Sequence, residues 1–325
     1  MASLPHRELL RPAALKPGDK VGIIAPASGF RLSDFEAGCA TLRRLGYEVV
    51  YSPSIFDRDL YFAGSAQRRA QELHQMFVHP ELKAILCARG GYGCNYLLPH
   101  LDLKLIRENP KVFAGSSDAT SLLTYILDTA RLVTFHAPMV AGDFARPDGL
   151  DETAWLRAVA SEKEYEQEFP RDQVQPLREG SAQGILYGGC LSLLCASLGT
   201  PYEIQTEGTI LFLEDRGEAP YRIDRMLMQL KLAGKFKGVQ GIIFGEMLDC
   251  APPASQNYTL QEVILRVLAD LPIPLAFGLR SGHVSRQAIT LAFGVDTTLT
   301  VGAIVALRSS AAVGKPHEAV RVPKT

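Results

Sequence analysis

Residues 111–130, KVFAGSSDATSLLTYILDTA, contain the pattern of a strand, a tight turn and a helix in succession. KVFAG is a short apolar run typical of a buried strand, and SLLTYILDTA carries apolar side chains at helical spacing. Only residues 116–120, SSDAT, separate the two patterns. Because ligands of open α/β sheets bind beyond the carboxyl ends of the strands, this turn is a candidate functional position.

The same alternation continues on both sides of this segment. The strand-like runs KVGIIAPA, LKAILCAR and LVTFHA alternate with the helical patterns DFEAGCATLRRLGY and SAQRRAQELHQMFVH, which indicates a parallel sheet covered on both faces. From about residue 144 the chain is polar and contains prolines, and near its end short strands punctuated by glycine dominate. We therefore expect an N-terminal α/β domain over 15–143, an interdomain connection over 144–182, and a smaller C-terminal α/β domain over 183–310.

Charge and cysteine content restrict the class of protein. The 325 residues include 34 basic and 35 acidic residues, a net charge of −1, which gives no electrostatic footprint for nucleic acid or an anionic membrane. The first twenty residues lack the apolar core of a signal peptide, and the uncharged window 180–202 is interpreted as buried core. Six cysteines form no CxxC motif and no Cys/His cluster, so we expect a cytoplasmic protein without a metal site.

The turn in GSSDA suits a serine nucleophile. Ser117 has Gly115 two positions before it and Ala119 two positions after it, close to the G-x-S-x-G pattern of a strained strand-to-helix turn. Ser116 has poorer neighbours for that role. The alternative is helix capping, which serine and aspartate also favour, and the turn alone does not decide between the two.

A second strand end carries ARGGYG, residues 88–93, with three glycines in four positions. Glycine allows the backbone to present its N–H groups outward, as in a phosphate cradle or half of an oxyanion hole. The segment does not match GxGxxG and no GK[ST] follows, so nucleotide binding is weakly indicated. The alternative is a tight turn that binds nothing.

A serine nucleophile needs a base and an orienting carboxylate. Of seven histidines, His283 lies in a glycine-flanked loop between two short strands, whereas His136 ends a strand and is expected to be a buried or interdomain residue. Glu214 ends the apolar strand TILFLE, where a partly buried carboxylate could hold an imidazolium. The competing carboxylates in the following segment are Asp215, Glu218 and Asp224.

Taken together, the motifs resemble a known family. ARGGYG, GSSDAT, YGGCLSLLCASLGTPY, LFLEDRGEAPYRIDRML and the GH before AITLAFGV resemble, in family order, the serine LD-carboxypeptidases. These comprise muramoyl-tetrapeptide carboxypeptidases and microcin immunity peptidases. The resemblance implies a flavodoxin-like or amidotransferase-like N-terminal domain that carries the nucleophile. It also implies a smaller C-terminal domain that supplies the acid and base, and a homodimer.

The resemblance also implies roles for particular residues. Ser117 matches the nucleophile, His283 the general base and Glu214 the orienting carboxylate. The backbone N–H groups of Gly91 and Asp118 would form the oxyanion hole. No metal or cofactor is implied.

Two assignments are less specific. Glu218 is the second glutamate of LFLEDRGE, so spacing alone leaves it a competitor of Glu214, and it would otherwise line the substrate pocket. Arg89 is a candidate anchor for the free carboxylate of a peptide substrate, since guanidinium pairs with carboxylates in a bidentate manner. A structural salt bridge is the alternative role for Arg89.

The activity that the resemblance implies is hydrolysis of an L,D-peptide bond in murein tetrapeptide, with release of the C-terminal D-alanine during wall recycling. The alternative within the family is a microcin-type immunity peptidase that cleaves peptidyl or aminoacyl nucleotides. Outside the family, an α/β-hydrolase esterase and a non-catalytic two-domain binding protein are the other hypotheses.

Overall fold

The structure is a computed structural model that describes residues 9–314 and 319–320. Sixteen strands are present in this part of the chain: β1 Leu9–Leu10, β2 Lys20–Ile24, β3 Glu48–Val50, β4 Leu82–Cys87, β5 Val112–Gly115, β6 Thr134–His136, β7 Tyr165–Phe169, β8 Gln175–Arg178, β9 Gly180–Cys190, β10 Thr209–Glu214, β11 Gly241–Gly245, β12 Leu275–Leu279, β13 Leu291–Phe293, β14 Asp296–Val301, β15 Val305–Ser309 and β16 Ala319–Val320.

Eight α-helices connect these strands: α1 Leu32–Arg44, α2 Ala66–Val78, α3 Leu103–Glu108, α4 Thr120–Tyr125, α5 Glu152–Ala160, α6 Leu191–Ala196, α7 Pro220–Leu232 and α8 Leu260–Val267. Capping side chains mark the starts of four of them, α2, α3, α5 and α8. The Ser65 hydroxyl accepts the Arg68 N–H at 3.3 Å at the start of α2, and Thr259 and Glu262 form a reciprocal capping box on α8. The predicted helix after Ser117 is shorter than its apolar pattern, because it continues as a π-helical turn over Ile126–Ala130.

The first sheet has six strands in the order β13-β6-β5-β4-β2-β3. Strands β2 to β6 are parallel to one another, and β13 joins β6 in antiparallel register. Both faces of β4 and β5 are covered, since almost every residue in these two strands is buried. This is the parallel sheet that the alternation of apolar runs and helices predicts.

The second sheet has eight strands in the order β7-β15-β14-β9-β10-β11-β12-β8. Its centre, β9 to β12, is parallel, and antiparallel strands complete both edges. A separate pair is formed by β1 and β16. The glycine-punctuated segments near the end of the chain therefore form short strands, as their pattern predicts.

Two features differ from the organisation expected along the chain. Residues 144–182, expected to connect domains, contain helix α5 and the strands β7 and β8, which complete the edges of the second sheet. Strand β13, expected in the C-terminal domain, extends the first sheet because Leu291 pairs with His136 at the end of β6. The domain limits stay a prediction, and each half of the chain contributes to the other.

The two halves also share an apolar core. Leu122 and Ile126 of the segment after β5 belong to the same buried cluster as Phe212 of β10 and Phe293 of β13. Such shared packing fixes the carboxyl ends of β5 and β10 relative to each other. Among the described residues, no helix has the length and apolar character needed to cross a membrane.

Candidate active site

The turn after β5 places Ser117 in a strained conformation. Ser117 has φ +56°, a left-handed conformation that costs a non-glycine residue roughly 1–2 kcal/mol. The backbone of the glycine-rich loop approaches it closely, because a Cβ at Gly90 would lie 2.8 Å from the Ser117 hydroxyl oxygen. Strain in a short strand-to-helix turn of this kind is typical of an exposed nucleophile.

The glycine-rich loop at residues 88–93 lies beside Ser117, and hydrogen bonds hold its C-terminal end. The Ser28 hydroxyl accepts the Tyr92 N–H at 3.1 Å, and the buried Arg69 guanidinium donates to the Gly93 carbonyl at 2.9 Å. Gly91 has φ +101° and lines the same cavity as Ser117. The roles of Ser28 and Arg69 in holding this loop are not evident from sequence motifs.

Asp118 links the two segments through its side chain. Its Oδ2 accepts the Cys94 N–H at 2.7 Å, across 24 positions of sequence. Burial raises the pKa of Asp118 despite this hydrogen bond, and its Oδ1 is buried without a partner among the described residues. The sequence predicts only a backbone role for Asp118, and the structure adds a carboxylate that ties the turn to the glycine-rich loop.

Glu214 and His283 are in direct contact. Oε2 of Glu214 accepts both the His283 backbone N–H at 3.0 Å and a hydrogen bond from His283 Nδ1 at 2.9 Å. Gly282 allows this approach, since a Cβ at this position, where φ is +82°, would lie 2.5 Å from the Glu214 carboxyl carbon. The Nε2 atom of His283 is thus left available for a reacting group.

The pKa shifts of Glu214 and His283 agree with the hydrogen bond between them. Burial acts to raise the pKa of Glu214, but the facing side chains of His136 and His283 lower it to about 2. Burial acts to lower the pKa of His283, and the hydrogen bond and charge of Glu214 outweigh it, so that the pKa is raised. Glu214 is therefore ionised at neutral pH and stabilises a positively charged His283.

The competing carboxylates have other partners. Oδ2 of Asp215 accepts the Ser192 N–H at 2.8 Å at the start of α6, and Glu218 lies 3.4 Å from Arg222. Asp224 does not line the cavity that contains Ser117. Of these four carboxylates, Glu214 is the one that accepts hydrogen bonds from His283.

Most of the predicted residues line one cavity of about 700 Å³, whereas Glu214 and Asp118 are buried and do not line it. Ser117, Gly91 and His283 line it, as do Arg89 and Glu218. Its lining carries four arginines and four carboxylates, which suits a ligand with charges of both signs: Arg31, Arg89, Arg146 and Arg216, with Asp34, Asp143, Asp215 and Glu218.

Two details of the cavity bear on the predicted roles. Arg89 donates to the Gly29 carbonyl at 2.8 Å and has no carboxylate partner within ion-pair distance in residues 9–314. No hydrogen bond joins Ser117 to His283 in that same range, although both residues line this cavity.

Cys190 also lines this cavity. Burial and the nearby charges of Glu214 and Asp215 raise the pKa of its thiol well above the ordinary value. The thiol is therefore protonated and a weak nucleophile at neutral pH. In the described ranges, no group of three or more His, Cys, Asp or Glu side chains is arranged to hold a metal ion.

The fold and the cavity define a class of protein: a two-sheet α/β chain with a serine on a strained turn and a glutamate–histidine pair supplied by its second half. Residues 21–137 match the family model of the LD-carboxypeptidase N-terminal domain, and residues 183–299 match that of the LD-carboxypeptidase C-terminal domain. The chain belongs to the LD-carboxypeptidase family and is a serine carboxypeptidase.

Individual relatives agree with this assignment. A probable murein peptide carboxypeptidase of Bacillus subtilis is 39% identical over 85% of this chain and 87% of its own. The muramoyltetrapeptide carboxypeptidase of Oxalobacter formigenes has a similar structure, with a TM-score of 0.81 and 28% identity over 91% of this chain and all of the other. The structure of MccF in complex with glutamyl sulfamoyl guanosine gives 0.87 and 25%, over 94% of this chain and all of the other. The predicted family and fold class are confirmed.

Proposed function

We propose that the protein hydrolyses the L,D-peptide bond of murein tetrapeptide and releases the C-terminal D-alanine. The observation that carries this proposal is the Glu214–His283 pair, whose histidine lines one cavity with the strained Ser117 while the buried Glu214 holds it from behind. The relatives named above support the substrate class, since two of them carry murein peptide or muramoyltetrapeptide carboxypeptidase names.

The proposed mechanism is acyl transfer to water. Ser117 Oγ attacks the carbonyl carbon of the scissile bond while His283 Nε2 takes the hydroxyl proton. His283 then gives this proton to the leaving amine of D-alanine, and water, activated by the same imidazole, hydrolyses the acyl-enzyme. Glu214 holds the ring orientation and stabilises its positive charge.

The oxyanion of the tetrahedral intermediate would be bound by the N–H groups of Gly91 and Asp118. Gly91 lines the cavity, and Asp118 lies in the first helical turn, where N–H groups have no helical acceptor. A donor of this kind typically contributes about 3–4 kcal/mol to transition-state stabilisation. The Asp118–Cys94 hydrogen bond supports this proposal, because it ties the two donor segments to each other.

A carboxypeptidase must also bind the free carboxylate of its substrate. Arg89 lines the cavity and has its guanidinium engaged by a carbonyl rather than by a carboxylate. We assign it the role of the carboxylate anchor. Glu218, on the same cavity, would contact a positively charged group of the substrate.

The likeness to MccF favours one alternative, a peptidase acting on an aminoacyl nucleotide analogue such as the one bound in that structure. The test compares both substrates. Wild type and Ser117→Ala are incubated separately with murein tetrapeptide and with glutamyl sulfamoyl guanosine, and the products are identified by mass spectrometry. D-alanine released by the wild type alone supports the main proposal, whereas cleavage of only the nucleotide analogue supports the alternative.

We propose a cytoplasmic homodimer that binds neither nucleic acid nor a membrane. All six cysteines are free and buried, which suits a reducing compartment, and the net charge is −1. Light scattering after gel filtration would measure the dimer mass directly.

A further inference from the structure

We infer that His136 is a positioning residue that holds the second carboxylate oxygen of Glu214, so that the site contains two histidines on one glutamate. The inference rests on the proposed function, because it concerns the carboxylate assigned there to orient His283. His136 Nε2 lies 3.8 Å from Glu214 Oε1, and both side chains are fully buried.

Among the described residues, neither of the two facing atoms has a hydrogen-bond partner. Glu214 Oε1 and His136 Nε2 are both buried and unsatisfied within residues 9–314, whereas Oε2 is occupied by two hydrogen bonds from His283. A buried, ionised carboxylate oxygen without a partner is costly. His136 is the polar side chain placed to interact with it.

The Ser281 hydroxyl restricts which nitrogens of His136 carry a proton. Nδ1 lies 2.9 Å from the Ser281 hydroxyl oxygen, and that hydroxyl also lies 3.1 Å from the Ile289 carbonyl. If Ser281 donates to Nδ1, the imidazole is neutral with its proton on Nε2. If Ser281 donates to Ile289, it accepts from Nδ1, and the imidazole faces Glu214 favourably only when Nε2 is also protonated.

Both states present an N–H to Glu214. The remaining state, with a bare Nε2, would set a nitrogen lone pair against an ionised carboxylate. The contact with Ser281 is therefore compatible with a neutral or a positively charged His136. In both cases a proton on His136 Nε2 points at Glu214 Oε1. This donor would hold the carboxylate in the rotation that keeps Oε2 on His283.

The fold fixes His136 rigidly for this task. In the register of the first sheet it pairs with Gly115, two residues before Ser117, and with Leu291 of β13. Its ring packs against Phe212 and Phe293 at centroid distances of 5.2 and 5.5 Å. Contact at 3.8 Å is longer than a hydrogen bond, and we expect it to shorten in the substrate complex, where hydrogen bonds of catalytic groups commonly tighten.

The test uses variants of His136 that keep or remove the N–H facing Glu214. His136→Phe keeps the aromatic packing and removes the donor, and His136→Gln places an amide N–H near the position of Nε2. His136→Asn reaches Ser281 but not Glu214, and it replaces the Phe variant if that variant does not fold. Circular dichroism and thermal unfolding establish that each variant is native.

Two readouts decide the inference. The Phe or Asn variant should lower kcat by about 30- to 100-fold, the range of one charge-assisted hydrogen bond, with KM unchanged. The Gln variant should retain most of the wild-type kcat. In ¹⁵N-histidine-labelled protein, the low-field proton resonance of His283 Nδ1–H should persist in wild type and Gln variants and shift upfield or vanish in the Phe or Asn variant.

Equal kcat and an unchanged His283 resonance in folded Phe or Asn variants would overturn the inference. The resonance needs no substrate, so this outcome is distinct from failure of the proposed function. That failure would appear as a wild type that releases no D-alanine.

Discussion

The two sides of the cavity are built by different means. The nucleophile turn, defined here as residues 115–119, depends on backbone shape: Ser117 has φ +56°, and Gly90 of the adjacent glycine-rich loop leaves room for its side chain. The acid–base cluster, defined here as Glu214, His283 and His136, depends on buried side-chain contacts between three distant segments. We therefore expect changes of backbone shape to impair the first side and changes of side-chain chemistry to impair the second.

The largest effect is expected when the charge of the acid–base cluster is removed. Glu214→Gln keeps the shape of the side chain and should lower kcat by about 10³- to 10⁴-fold, as for the analogous change in serine proteases. Glu72→Gln is the control: it changes another buried carboxyl, paired with Arg68 at 2.8 Å, that does not line the cavity. It should alter stability and leave kcat near the wild-type value.

The same variant also gives a pH prediction. Since His283 must be unprotonated to act as a base, kcat/KM falls as pH drops through its pKa, which Glu214 raises. A neutral glutamine no longer raises that pKa, so the acidic limb of kcat/KM should move to lower pH in Glu214→Gln. An acidic limb at the wild-type pH would contradict the assignment of this limb to His283.

A smaller effect is expected from the backbone of the nucleophile turn. The Cβ introduced by Gly90→Ala would lie 2.7 Å from the Ser117 Cβ, so the turn must shift, and a misplaced reacting group costs about 100-fold in rate. Gly302→Ala is the control, because its Cβ would meet nothing within 4 Å. Steady-state kinetics and thermal unfolding of both variants test the comparison, and equal kcat for both would show that the turn tolerates displacement.

A smaller effect again is expected when the hydrogen bond between Asp118 of the nucleophile turn and Cys94, which follows the glycine-rich loop, is removed. Asp118→Ala removes the acceptor of the Cys94 N–H and should lower the free energy of unfolding by about 2 kcal/mol. Because the oxyanion donors loosen, kcat should fall as well. Asp102→Ala removes a comparable acceptor, of the Leu105 N–H at 2.9 Å, and should lower stability with no loss of kcat.

The smallest effect is expected at the substrate carboxylate. Arg89→Ala should raise KM for a tetrapeptide by roughly 10-fold, as expected for loss of an exposed charged contact, with little change in kcat. Arg171→Ala is the control, because Arg171 also donates to a carbonyl, that of Ala303, and does not line the cavity. Michaelis–Menten constants of the two alanine variants decide the point, and an unchanged KM in Arg89→Ala would remove the residue from the proposed site.

The difference between the two sides also explains what the sequence could predict. The parallel sheet and the nucleophile turn depend on residues that are adjacent in the chain, such as Gly115 and Ser117, so local patterns predict them. Resemblance to a family selected Glu214 and His283 from several candidates. Contacts such as Cys94 with Asp118, or His136 with Glu214, join segments that lie far apart in sequence, and no local pattern encodes them.

We propose that a base held by the second half of the chain activates Ser117 in the first half. The most direct measurement is the rate at which a fluorophosphonate labels Ser117, followed by intact-mass and peptide mass spectrometry. We predict one label per chain on Ser117 in the wild type, no label in Ser117→Ala, and labelling slowed at least 100-fold in Glu214→Gln and His283→Ala. Labelling of another residue, or an unchanged rate in the two variants, would contradict the account.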